Sequence, residues 1–267
     1  MEVQGHRGAR ARYPENTIPA FEYALQVGVD VLELDMAITQ DGKIVVSHDP
    51  HISAKICLNA KGRKLEKEPL IHELTLAQVK TYDCGTLINP RFPHQRPVSP
   101  TQIPTLEEVF KYVKDSKHPV AKKVRFNIET KSFADHPEYT VAPAEFAKRV
   151  IAVVKKHHMM NRVILQSFDY RTLEEARKIE PKIVIAALSE TKGEDLVASA
   201  KKLNANICSP DFEMISGDTV KKLHDIGVQV VPWTLNTPED WKKAIDMNVD
   251  GIITDDPGEL ISFLKKK

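Results

Sequence analysis

Glu33 and Asp35 lie two residues apart in the apolar run 31–38, and Glu129 closes a second such run at 124–130. Side chains two apart on a strand point the same way. Two like charges facing one interior are costly unless a cation compensates them. A lone Glu-x-Asp reads as a pair of salt-bridged structural acids; a third acid at matching height turns the balance toward metal ligation. Oxygen-only ligands suit one hard divalent cation, Mg²⁺ or Ca²⁺ with Mn²⁺ as a further option, rather than zinc. His6 stands in Gly5-His6-Arg7-Gly8 and His48 in Ser47-His48-Asp49. Two histidines can supply the base for a nucleophile and the acid for a leaving oxygen near neutral pH. Arg7 offers a planar fork and Lys131 a point charge for phosphate oxygens. Each could instead serve a structural ion pair, Lys131 at the end of an inward strand less readily than Arg7. Trp233 and Phe168 follow apolar runs and fit the wall of a site or the core. The remaining eight of ten histidines carry no comparable context.

These residues need elements to hold them at one height. Short β-branched runs at 3–6, 31–38, 124–130, 163–167, 183–188, 206–209, 229–234 and 251–254 alternate with amphipathic stretches. Helices are predicted over 17–27 with Thr17 as N-cap, from Thr105 with a Thr-x-x-Glu capping box, and over 144–157, 171–178, 194–203, 217–226, 238–247 and 257–264. Gln40-Asp41-Gly42 marks a turn into a hairpin strand at 44–47. Eight strand–helix units at this length predict an α/β fold, a (β/α)8 TIM barrel, with a small insertion after the second strand's hairpin. A doubly wound sheet is the runner-up, but it usually carries a Gly-rich phosphate loop directly opening a helix after the first strand. The barrel reading places 1–267 in one domain with the insertion at about 50–103, and active residues at the strands' C-terminal ends.

Lys+Arg at 38 against Asp+Glu at 37 leaves a net charge of +1, which argues against nucleic acid or an anionic membrane as partner. No apolar run approaches the roughly 20 residues of a transmembrane helix, so no transmembrane segment is expected. No signal peptide is visible, although Met1 stands almost on the first strand. A periplasmic or secreted location is expected if a leader has been removed and a cytoplasmic one otherwise; oligomeric state is open. The three cysteines show no Cys-x-x-Cys spacing. Cys57 and Cys84 share the irregular segment and either pair in an oxidising compartment or remain separate buried thiols.

At these residues the chain resembles the glycerophosphodiester phosphodiesterase family. The matching segments are His6-Arg7-Gly8, Pro14-Glu15-Asn16-Thr17, Glu33-Leu34-Asp35, Thr39-Gln40-Asp41-Gly42 with His48-Asp49, Ile103-Pro104-Thr105-Leu106-Glu107-Glu108, Glu129-Thr130-Lys131, Gln166-Ser167-Phe168, Trp233-Thr234-Leu235-Asn236 and Asp250-Gly251-Ile252-Ile253-Thr254-Asp255, in family order. The resemblance implies a metal-dependent barrel that hydrolyses small-molecule glycerophosphodiesters, such as glycerophosphocholine or glycerophosphoethanolamine, to glycerol 3-phosphate and an alcohol. It implies Glu33, Asp35 and Glu129 as metal ligands, His6 and His48 as general acid and base, and Arg7 and Lys131 as phosphate contacts. After His48-Asp49 the sequence departs from the family's Leu-Asp-Arg-Thr-Thr-like segment, which bears on head-group preference. Two alternatives remain. A lysophospholipase D-type activity would need an apolar mouth, to which Leu70, Ile71, Leu74 and Leu76 could contribute. A non-catalytic phospho-ligand-binding barrel would have no need of a proton-transfer pair.

Overall fold

The computed structural model describes residues 1–266. From the N-terminus it runs β1 (Glu2–Gly5), α1 (Ile18–Val27), β2 (Val31–Ile38), β3 (Ile44–Val46), α2 (Leu76–Val79) and α3 (Leu106–Asp115). It continues β4 (Arg125–Thr130), α4 (Pro143–Lys156), β5 (Val163–Ser167), α5 (Tyr170–Ile179), β6 (Val184–Ser189) and α6 (Leu196–Leu203). The last third is β7 (Ile207–Pro210), α7 (Gly217–His224), β8 (Gln229–Val230), α8 (Pro238–Asp246), β9 (Gly251–Thr254) and α9 (Pro257–Leu264).

Eight parallel strands lie side by side in the order β8-β7-β6-β5-β4-β2-β1-β9, with β3 antiparallel on β2. The ring closes between β9 and β8 by single hydrogen bonds: Asp250 N–H to the Val230 carbonyl at 2.9 Å and Ile253 N–H to that of Pro232 at 3.1 Å. The expected (β/α)8 barrel is therefore the fold. The strand predicted over 229–234 is regular only at its first two residues, because Pro232 has no N–H to donate and interrupts the ladder. Trp233 rejoins the sheet through one bridge to Asp211.

All eight residues of β2 are buried, since barrel strands are covered on both faces. The helix-side layer is built on Phe21, Phe110, Phe126 and Phe146, all fully buried. Inside the barrel, Ile164, Ala186, Ile207, Val231 and Ile253 form an apolar plug. The sector under β1, β2 and β4 is polar instead. Asn127 Nδ2 donates to Gln4 and to Gln166 at 2.9 Å each, and Gln166 Nε2 donates to Glu33 at 2.8 Å. A hydrogen-bonded ladder thus leads from the barrel floor to the first of the acids. The capping box at α3 forms as predicted, with Glu108 N–H on Thr105 Oγ1 at 3.1 Å and Thr105 N–H on Glu108 Oε2 at 2.7 Å. Thr17 stands at the N-cap of α1, but its hydroxyl donates to the Pro14 carbonyl at 2.5 Å and caps nothing.

Residues 50–103 pack against β2, β3 and the loop after β1. They are less irregular than expected, with a short helical turn at Ile71–Glu73 and α2 opened by a Thr75–Gln78 capping box. Their small core joins Ile52, Cys57, Ile71, Val79, Cys84 and Ile103 to Ala37 and Val45 of the barrel. Ile71 belongs to it and the half-buried Leu74 and Leu76 pack against it, which leaves them little apolar surface to offer the mouth, while Leu70 is half-buried outside it. Cys57 and Cys84 are joined as a disulfide, 27 residues apart. Closing a loop of that length stabilises the fold by roughly 3–4 kcal/mol in the chain-entropy model. The double variant Cys57→Ser/Cys84→Ser is expected to unfold at correspondingly lower urea than the oxidised protein; coincident midpoints would remove the bridge from the stability of this segment. Gln95 Nε2 donates to the carbonyls of Arg10 at 2.8 Å and Tyr13 at 2.9 Å, which fastens the insertion to the loop after β1. No described helix is long and apolar enough to cross a membrane.

Candidate active site

The site begins where β1 ends. A Cβ on Gly5 would collide with the Gly8 carbonyl, and Arg7 and Gly8 both take left-handed conformations, φ 49° and 85°. For arginine that conformation is strained by about 1–2 kcal/mol. The resulting tight turn aims the Arg7 N–H at Glu33 Oε2, 2.7 Å away. It also sends the guanidinium to Glu15, with Nη1 to Oε1 at 2.5 Å, and brings Nε to 3.5 Å from Asp35 Oδ2.

Glu33, Asp35 and Glu129 are buried, and one carboxylate oxygen from each lies within 4.8 Å of the others. β2 and β4 pair in register with Asp35 beside Glu129, which sets the common height. Asn16 clamps Asp35 from both sides: its Nδ2 donates to Oδ2 at 2.8 Å and its Oδ1 accepts the Asp35 N–H at 3.3 Å. Lys131 Nζ donates to Glu129 Oε1 at 2.8 Å and stands 4.0 Å from Asp35 Oδ1. Asp35 Oδ1 is buried and accepts no hydrogen bond. A buried anionic oxygen without a donor costs about 1–3 kcal/mol or more, and a hard cation between the three acids would satisfy it. The residues present therefore fit a divalent ion. The electrostatics agree. Burial, joined by the charges of Asp35 and Glu129, pushes Glu33 well above the usual carboxylate range. Glu129 is raised by burial and by Asp35. Burial acts to raise Asp35 too, but His48, Arg7 and Lys131 outweigh it and hold it far below.

His6 Nδ1 lies 2.7 Å from Asp255 Oδ1. That oxygen also accepts from Arg10 Nε at 2.5 Å, and Asp255 Oδ2 accepts from Asn236 Nδ2 at 2.8 Å. Burial, helped by Arg10 and opposed by Asp255, pulls His6 down to about 3. The ring is therefore neutral at pH 7, with Nδ1–H donated to Asp255 and the Nε2 lone pair free. Burial acts to raise Asp255, but the hydrogen bond from His6 and the guanidinium of Arg10 hold it well below the usual carboxylate range. Because unfolded histidine binds a proton below about 6.5 and native His6 does not, this residue's contribution to stability is lost as pH falls from about 6.5 toward 3. Urea unfolding of wild type and His6→Gln at pH 6.5 and 4.5 should show the smaller acid loss in the variant, the difference approaching about 1.4 kcal/mol per pH unit. Parallel losses would place the His6 titration elsewhere.

His48 follows β3 with Nδ1 2.8 Å from Asp49 Oδ1, and its side chain is 35% exposed against 12% for His6. His6, Arg7, Glu33, His48, Glu129 and Lys131 line one cavity of about 390 Å³. Phe168 and Trp233 complete its wall as an edge-to-face pair 5.5 Å apart, with Trp233 Nε1–H anchored on the Ser209 carbonyl at 2.9 Å. All nine residues singled out in the sequence thus converge. Asp255 was noted only at a strand end and in a matching motif, and Arg10 not at all: the His6–Asp255 contact spans 249 residues, so no local pattern pairs them. Glu15, Asn16 and Gln166 were noted only as parts of matching motifs.

The barrel with acids and histidines at the mouth of β1, β2 and β4 defines a phosphodiester-cleaving class. Residues 6–259 match the glycerophosphoryl diester phosphodiesterase family. The chain belongs to that family and is a phosphoric diester hydrolase. It is 32% identical over 264 residues to a glycerophosphodiester phosphodiesterase of Caldanaerobacter subterraneus subsp. tengcongensis, covering 99% of this chain and 98% of that one. A Silicibacter pomeroyi DSS-3 protein, provisionally named a glycerophosphoryl diester phosphodiesterase, superposes with a TM-score of 0.93 at 30% identity over 100% of this chain and 93% of that one. An Oleispira antarctica phosphodiesterase, solved with the product sn-glycerol-3-phosphate, superposes with a TM-score of 0.81 at 20% identity over 99% and 97% of the two chains.

Proposed function

We propose that the chain is a metal-dependent hydrolase of glycerophosphodiesters, releasing glycerol 3-phosphate and an alcohol from substrates such as glycerophosphocholine or glycerophosphoethanolamine. The carrying observation is one cavity lined by two histidines and by Glu33 and Glu129, whose carboxylates form a buried triad with Asp35 and its unsatisfied oxygen. Glu33, Asp35 and Glu129 would hold one cation, Mg²⁺ or Ca²⁺ with Mn²⁺ possible. When bound, such an ion supplies Lewis-acid stabilisation of charge on phosphoryl and hydroxyl oxygens. His6, with Nδ1 committed to Asp255, takes at Nε2 a proton of the attacking water, whose oxygen bonds to phosphorus as the alcohol leaves. His48, the more exposed of the two, donates a proton to the leaving alcohol oxygen. Arg7 and Lys131 contact the phosphate, and Phe168 and Trp233 wall the alcohol or glycerol. The chain acts as one barrel unit, with residues 50–103 shaping the mouth. The product bound to the Oleispira antarctica enzyme is the one this reading requires.

Asp255→Asn removes the acceptor that selects the Nδ1–H tautomer and is expected to lower kcat by about 10²–10⁴-fold. Its pH profile should change as well. Unaltered kcat would take Asp255 out of the mechanism. The direct test of the function is a metal-supplemented screen of glycerophosphodiesters that follows glycerol 3-phosphate release. Absence of release from every diester would overturn the reading. A lipid-tailed substrate finds less support, because Ile71, Leu74 and Leu76 face the insertion's own core.

A further inference from the structure

The cavity is polarised in a way the hydrolysis itself does not require. Its positive groups, Arg7, Arg10, Arg91 and Lys131, come from the β1 loop, the insertion and the end of β4. The wall contributed by β5 to β9 carries one charged group, Glu190, which follows β6. In the ring order β6 stands four places from β1, diametrically across the mouth from His6 and Arg7. Glu190 is exposed and makes no ion pair or hydrogen bond among the described residues. Beside it on the same wall stand Phe168, 37% exposed, and its edge-to-face partner Trp233. Phe168 already accepts one cation, with Lys131 Nζ 5.8 Å from its ring.

A carboxylate with two accessible aromatic rings, facing a cationic phosphate cradle, complements a substrate that is an anion at one end and an organic ammonium at the other. We propose that Glu190 and the Phe168–Trp233 pair are specificity determinants that select a leaving alcohol bearing an ammonium group over an uncharged polyol. This rests on the reading of the site as a glycerophosphodiester hydrolase and adds the class of head group. Attraction of an ammonium to one carboxylate and an aromatic face at a half-open site changes affinity by about tenfold.

The test compares glycerophosphocholine and glycerophosphoethanolamine with glycerophosphoglycerol on the full chain supplied with a divalent cation. The ammonium substrates should lead in kcat/KM by about tenfold, mostly through KM, and Glu190→Gln should bring the ratio toward one. A wild-type ratio near one, or a ratio that Glu190→Gln leaves in place, overturns the proposal while hydrolysis itself stands. If no diester is cleaved, the hydrolase reading fails, and binding still decides the wall. Choline, but not glycerol, should perturb tryptophan fluorescence in the wild type and should do so at about tenfold higher concentration in Glu190→Gln. Equal responses to choline in the two proteins overturn it.

Discussion

Removing divalent cations with EDTA is expected to abolish glycerophosphodiester hydrolysis and to lower the melting temperature; Mg²⁺ or Ca²⁺ should restore both. The argument is one of charge. Three buried carboxylates share two cations, Arg7 and Lys131, and Arg7 is also engaged by Glu15. One oxygen, Asp35 Oδ1, has no donor. In metal-free protein the cheapest relief is a proton on Glu33, whose affinity for it is raised by burial and by Asp35. A cation relieves all three acids together. At a hundred times its Kd it adds about 2.7 kcal/mol, or roughly 5–10 °C in a chain of this size. Glu33→Gln separates the two effects. Its side chain imitates the protonated acid, so the metal-free melting temperature should stay close to wild type while the metal-induced rise shrinks. Full activity after exhaustive chelation, or a melting temperature indifferent to every divalent ion, would exclude the triad as a metal site.

His6→Ala and His48→Ala should each lower kcat by about 10²–10⁴-fold with the fold intact. The two losses should differ in kind. The need for a general acid falls as the leaving group becomes a better one. On an aryl ester such as glycerophospho-p-nitrophenol, His48→Ala should recover most of its rate and His6→Ala should not. The structural ground is the asymmetry of their partners. Nδ1 of His6 is bound to Asp255, itself held by Arg10 and Asn236, whereas the hydrogen-bond partner of His48 among the described residues is its exposed neighbour Asp49. Recovery by both variants would cancel the division of roles, and recovery by His6→Ala alone would reverse it.

Much of this was legible in the sequence because it is periodic or local. The runs at Val31–Ile38, Val163–Ser167 and Gly251–Thr254 and the helix Pro257–Leu264 occur at the predicted bounds, being framed by strong apolar patterns and by Gly or Pro. Glu33 and Asp35 were readable as co-facing because strand alternation is a fixed geometry. The pairing of Cys57 with Cys84 stood as one of two readings and occurs as a disulfide. What escaped depends on distance in the chain or on one proline. The seventh barrel strand looked regular through Thr234, but Pro232 interrupts its ladder. Asp255 looked like one more polar residue at a strand end until barrel closure set it against His6. The insertion's apolar residues gave no period that would separate a core of their own from a surface patch.

The bridge between Cys57 and Cys84 also makes the segment beside the site tolerant of a cut chain. Most residues from Asn59 to Glu68 are exposed. A protease that nicks this segment leaves both ends attached to the barrel through sulfur, and Gln95 still clasps the β1 loop. The enzyme would then migrate as one chain without reductant and as two with it. A lineage could rewrite, lengthen or break that loop while the acids, the histidines and Asp255 remain where the strands put them.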